Sequence, residues 1–292
     1  MQKPDVKSFF DKATSTWTYV VWSEESKNKN CAVIDSVLDY DIFSGRTSTE
    51  SADKIINFIK EKNLNLQWIL ETHIHADHLT AASYLKEKLG GKIAISNRII
   101  AVLKTWQEIF HNEVDTPLSG EQFDHLFVDD EEFKIGEISA KIIATPGHTP
   151  ADTTYIIGDC AFVGDAIFLP DVGTGRCDFP NGSAADSFDS VQKILSLLDS
   201  QKIYVGHDYP PSAGGRGEEC LTTVAKQKAK NIRVHSGISK DEFVNKRNRD
   251  DIGKAVQKLL FPSLQVNLRA GKFGQKTADM QSIPKQFQDT NF

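Results

Sequence analysis

Cysteine is scarce: Cys31, Cys160, Cys177 and Cys220 are the four in a chain of 292 residues, and none forms a Cys-x-x-Cys pair. That excludes a disulfide scaffold and argues against a zinc ribbon or a thioredoxin-like motif. No stretch approaches the ~18 apolar residues that span a bilayer, so neither a membrane-spanning helix nor a membrane partner is expected. The opening segment MQKPDVKSFFDKATST places Pro4, Asp5 and Lys7 where a secretory signal would need hydrocarbon. The expectation is a cytoplasmic protein with free thiols. Internal repeats, low-complexity tracts and Pro- or Gly-rich linkers are also absent. One domain over residues 1–292 is therefore expected.

Acidic and basic side chains are both present but unevenly placed. Residues 1–220 hold 20 Lys and Arg against 34 Asp and Glu, whereas residues 221–292 hold 14 against 6. A basic C-terminal quarter on an acidic body suggests an anionic partner near that segment, or a solvated helical face. Without interleaved aromatics or a nucleic-acid motif, no nucleic-acid partner is expected.

Apolar periodicity gives the organisation. Residues 17–22, Cys31–Asp35 and Gln67–Glu71 read as strands, as do Lys92–Ser96, Ile138–Ala144, Thr153–Ile157, Cys160–Gly164 and Lys202–Val205. Helical spacing follows Ser48-Thr49, runs through Ala82, Leu85 and Leu89, covers Asn97 to about His111, and recurs over Ser187–Leu198. From Glu218 onwards the pattern is mainly helical. The fold class is α/β with a helical C-terminal extension over about 218–292.

Each cluster of polar chemistry follows a short apolar strand, where loops vary freely while the sheet fixes their origin. The clusters are His73-x-His75-x-Asp77-His78, then His148 in Thr-Pro-Gly-His-Thr, then Gly164-Asp165, then Gly206-His207-Asp208. Imidazole and carboxylate together suit zinc, iron or nickel rather than calcium or magnesium. In extended chain His73 and His75 face the same side, so both can approach one ion. His111, His125 and His235 lack ligand-like neighbours and read as surface or structural. Cys177 reads as a space-filling thiol, Cys31 and Cys160 as core, and Ala213–Gly217 as a rim loop lacking a phosphate-binding signature.

These motifs, in this order over roughly residues 15–210, resemble the metallo-β-lactamase superfamily. The resemblance implies an αββα sandwich of two mixed sheets with helices outside and metal at one edge. Gly173–Phe179, Asp165-Ala166 and His207-Asp208-Tyr209 further resemble the persulfide dioxygenases, the family of the ethylmalonic encephalopathy protein. The tail, with Pro262–Asn267 and Asn267–Gly271, is similar to the bacterial β-lactamase-like hydrolase branch of those enzymes.

What this likeness implies is a single Fe(II) held by His73, His148 and Asp165, which would also be the catalytic centre. His75, Asp77, His78 and His207 would orient it, although in zinc hydrolases of this fold they complete a two-ion site. The implied reaction oxidises glutathione persulfide with O2 and water to sulfite and glutathione, and the family implies a homodimer. Glutathione carries two carboxylates, which arginine suits; Arg176 and Arg269, each in a shared motif, are the expected contacts, with Tyr209 beside them. The alternatives are a dinuclear zinc hydrolase of the glyoxalase II kind, cleaving glutathione thioesters, and a non-catalytic metal-fold binding protein.

Overall fold

The computed structural model describes residues 3–110, 116–210 and 215–274. Strands β1 (Asp5–Asp11), β2 (Thr16–Trp22) and β3 (Asn30–Ile34) open the chain, followed by the hairpin of β4 (Val37–Asp41) and β5 (Arg46–Ser48). Next come α1 (Glu50–Glu61), β6 (Asn65–Leu70), β7 (Leu79–Thr80), α2 (Ala82–Leu89), β8 (Lys92–Ser96), α3 (Ile99–Phe110) and β9 (His125–Phe127). The second half holds β10 (Glu132–Ile135), β11 (Ile138–Ala144), β12 (Thr153–Ile157), β13 (Cys160–Phe162), α4 (Ala184–Leu195), β14 (Lys202–Tyr204) and β15 (Leu221–Thr223). Helices α5 (Val224–Lys230), α6 (Lys240–Asp251) and α7 (Leu260–Asn267) follow.

Two six-stranded mixed sheets result, ordered β1-β2-β3-β6-β8-β9 and β10-β11-β12-β13-β14-β15, with a small third sheet β5-β4-β7. Strand β2 shows why they stack. All seven of its residues are buried, and alternate side chains point to opposite faces. Trp17, Tyr19 and Val21 join Ile142, Tyr155 and Phe162 of the second sheet. Val20 and Trp22 join Ile55 and Ile59 of α1, Leu85 of α2 and Val102 of α3 on the outer side. The second sheet carries α4 and α5, whose Val191, Ile194 and Val224 complete the second core. This is the αββα sandwich.

Three details differ from the sequence reading. Residues Asp5–Asp11 form an edge strand that the polar opening segment concealed, paired along its length with β2. Helix α4 begins at Ala184, because Ser183 accepts a hydrogen bond from the Asp186 amide as N-cap, and ends before Leu198, which is 75% exposed. The basic tail begins with strand β15 before turning helical. His111, part of Ala213–Gly217 and the chain after residue 274 lie outside the described residues. No helix among the described residues is long and apolar enough to cross a membrane.

Candidate metal centre

Four strand ends deliver the chemistry to one edge of the sandwich. His73, His75, Asp77 and His78 follow β6, His148 follows β11, Asp165 follows β13 and His207 follows β14. The two sheets are tied together at this edge. Trp17 N–H donates to the Gly206 carbonyl at 2.8 Å, Asp208 N–H to the Ser15 carbonyl at 3.1 Å, and the Tyr19 hydroxyl to the Val205 carbonyl at 2.5 Å. Two glycines allow the strand ends to converge. Gly164 has φ +50°, and a Cβ there would strike Thr72 Oγ1; a Cβ on Gly206 would come 2.7 Å from Asp165 Oδ1.

His73, His148 and Asp165 each offer a ligand atom within 4.8 Å of the other two, as do His75, Asp77 and His78 among themselves. All but Asp77 are buried. His73 Nε2, His75 Nδ1 and His78 Nε2 are buried with no hydrogen-bond partner among the described residues. Buried polar atoms are normally paired, so these unpartnered imidazole nitrogens, one in the first group and two in the second, fit metal ligation. Burial also holds His73 well below the usual imidazole range and His78 at about 4, which keeps both neutral as ligands must be.

The remaining ring nitrogens are fixed from behind. His148 Nδ1 lies 2.6 Å from the Arg176 carbonyl, and His78 Nδ1 lies 3.1 Å from the Leu79 carbonyl. The Asp35 carboxylate accepts from the Thr72 amide (2.8 Å) and hydroxyl (2.9 Å) and faces His75 Nε2 at 3.1 Å. Thr72 Oγ1 in turn lies 3.0 Å from His73 Nδ1. One carboxylate thus sets His75 directly and His73 through Thr72. Glu71 adds a second carboxylate 3.4 Å from His75 Nε2. Burial pushes His75 down, but Asp35 and Glu71 outweigh it and lift the imidazole to about 10.

His207 is placed differently. It is fully buried, with Nδ1 2.6 Å from Asp165 Oδ1 and Nε2 2.6 Å from Asp77 Oδ2 and 3.1 Å from Thr16 Oγ1. Burial disfavours its charge, yet the two carboxylates raise it well above the usual range. Asp165 is pushed up by burial, but His207 and His148 bring it well below the carboxylate range.

Several residues that position the site were not singled out in the sequence. Besides Asp35, Glu71 and Thr72, a buried ion pair on α6 supports the 174–177 loop. Arg247 donates to Asp251 and reaches the Thr174 and Gly175 carbonyls at 3.4 Å, while Asp251 accepts from Cys177 N–H at 2.9 Å. Asn267, noted only for the tail motif, donates to the His75 and His78 carbonyls (2.8 and 2.9 Å) and accepts from Thr80 N–H (2.8 Å).

The expected substrate contacts fall as follows. Arg176 gives Nε and a terminal nitrogen to Asp178, both at 2.5 Å, and its other nitrogen to the Ala255 carbonyl at 2.8 Å. Arg269 is 9% exposed and donates to the Gln265 carbonyl. Tyr209, half exposed, lies parallel to the His207 ring with centroids 6.0 Å apart. Cys31, Cys160 and Cys177 are buried, and desolvation pushes each thiol up to about 12. His125 pairs with Glu131 at 2.7 Å, and His235 is exposed.

An αββα sandwich with this histidine and aspartate set at one edge defines a metal-dependent enzyme fold, and the chain belongs to the metallo-β-lactamase superfamily, whose family model matches residues 12–207. It is 47% identical to "Glyoxylase B2" of Dictyostelium discoideum over 94% of this chain and 93% of that protein. It is 43% identical to a "Beta-lactamase hydrolase-like protein" of Xylella fastidiosa over 96% of this chain, which spans 63% of that longer protein. Identity to the mitochondrial persulfide dioxygenase ETHE1 of Homo sapiens is 29%, over 91% of this chain and 88% of that one. The crystal structure of ETHE1 from Myxococcus xanthus superposes with a TM-score of 0.72 at 28% identity, covering 92% of this chain and all of the other.

Proposed function

We propose that the protein is a persulfide dioxygenase using one Fe(II), held by His73, His148 and Asp165. The observation that carries this reading is the buried group His73, His148 and Asp165, whose ligand atoms all lie within 4.8 Å of one another. Two imidazoles and one carboxylate are the ligand set of non-haem iron oxygenases. Bound there, iron would supply electrons to O2 and keep open positions for sulfur and O2.

The chain's own residues then have definite tasks. His207 holds the Asp165 carboxylate, and the Arg176 carbonyl fixes which nitrogen of His148 faces inward. Phe179, 4.9 Å from His148, and Phe168, 6.2 Å from His207, shield these rings from water. Tyr209 is exposed enough to meet the substrate. The overall conversion is glutathione persulfide, O2 and water to sulfite and glutathione. The similarity to ETHE1 proteins supports it.

A second reading is a two-zinc glutathione-thioester hydrolase. It is favoured by the free Nδ1 of His75 and Nε2 of His78, which converge with Asp77 on a second position, and by the name of the Dictyostelium relative. Metal analysis, with O2 uptake on glutathione persulfide measured beside S-lactoylglutathione cleavage, separates the two. One iron per chain and O2 consumption are expected. Two zinc ions with thioester cleavage and no O2 uptake would overturn the proposal.

A further inference from the structure

The two arginines expected to receive the substrate's carboxylates both bond within the chain, Arg176 to Asp178 and Arg269 to the Gln265 carbonyl. A different cation stands at a cleft of about 320 Å³ walled by the β1–β2 turn, the β4–β5 hairpin and Leu259. His78, one of the residues with an unpartnered buried nitrogen, lines this cleft. The inner end of the cleft thus lies against His78, itself fully buried, at the edge of the metal cluster. Its volume falls within the range of small-molecule sites, roughly 300–1,000 Å³.

On the cleft wall, Arg46 and Asp41 stand directly opposite each other in the β4–β5 ladder. Both are exposed, and among the described residues Arg46 forms no ion pair with Asp41 or any other carboxylate. Asp41 accepts from the Phe43 amide through Oδ1 at 3.0 Å, which fixes the carboxylate without neutralising it. Two opposite charges thus sit side by side, unpaired, at the rim. Leu38 and Leu259 supply apolar surface between this rim and His78.

We infer that this cleft docks the α-amino-acid end of a thiol-carried substrate, with Arg46 taking its carboxylate and Asp41 its ammonium. The γ-glutamyl end of glutathione has this pair of groups. The assignment rests on the glutathione reading above, which the hydrolase alternative shares. A guanidinium matches a carboxylate through two parallel N–H donors, and a neighbouring carboxylate discriminates against ligands that lack the ammonium. Arg46 touches the carrier rather than the reacting sulfur, so it acts on binding.

Calorimetric titration of S-methylglutathione, an unreactive thioether, into the metal-loaded protein tests this directly. Arg46→Ala should weaken binding about five- to tenfold, and N-acetylation of the ligand should weaken its binding to the wild type by a similar factor. Arg46 is exposed, so its replacement leaves folding intact. In turnover, Arg46→Ala should raise KM for glutathione persulfide far more than it lowers kcat, while KM for a simple alkyl persulfide stays put. Equal affinity in wild type and variant, or no binding to the wild type at millimolar ligand, would overturn the assignment. Arg46-dependent binding in a protein that consumes no O2 would uphold the cleft and remove the dioxygenase.

Discussion

Replacing Arg247 with methionine probes whether α6 holds the metal loops together. Arg247 is 1% exposed and Asp251 5%, and their pair carries the 174–177 loop through the Thr174 and Gly175 carbonyls and the Cys177 amide. That loop in turn places the Arg176 carbonyl on His148 and the Gly175 amide on the Asp165 carbonyl, at 2.6 and 3.1 Å. Removing one partner of a buried ion pair costs about 3–5 kcal/mol, because the other charge is stranded. Lys254 still reaches Asp251 at 2.9 Å, so the lower end, about 3 kcal/mol, is expected. Urea unfolding of the metal-free protein, followed by circular dichroism, measures it. Metal affinity should also fall by about 10–100-fold, the usual effect of losing an outer support. The double variant Arg247→Met/Asp251→Leu should recover most of the stability, since an apolar pair of similar volume replaces a buried ion pair at little cost. A loss below about 1 kcal/mol with unchanged metal affinity would refute the argument.

Asn267→Ala removes three buried hydrogen bonds around His75, His78 and Thr80 and should cost roughly 2–4 kcal/mol, with metal binding weakened about tenfold in chelator competition; wild-type values in both assays would refute the bracing role. The part of the metal-free protein's pH response that His78 supplies has a definite sign. His78 is held by burial at about 4, against 6.5 for an ordinary imidazole. Between those values the unfolded chain binds a proton at His78 that the folded chain refuses, so the contribution of His78 to stability falls as pH falls. The change in urea midpoint from pH 7 to pH 5 should therefore be less negative in His78→Gln than in the wild type; equal changes would acquit His78.

The sequence reading located the ligands because each motif is local: a short apolar strand, then a turn, then histidine or aspartate within a few residues. The same locality made β2, β3, β6, β11 and β12 legible. What it did not provide are groups whose partners lie far along the chain. Asp35 acts on His75 forty positions away, and Asn267 on His75 at 192. Arg176 contributes through its backbone carbonyl, which no side-chain pattern can signal. Its guanidinium turns to Asp178, two residues on. Strand β1 was hidden because its lysine, serine and aspartate residues suit an edge, where partial exposure is tolerated.

The bonds from Asn267 to the His75 and His78 carbonyls join the first metal loop to a helix made almost two hundred residues later. A ribosome therefore releases the histidines long before the Asn267 brace exists. Secure uptake of the ion must wait until that helix has been made, and until then the growing chain is a scaffold with a loose grip.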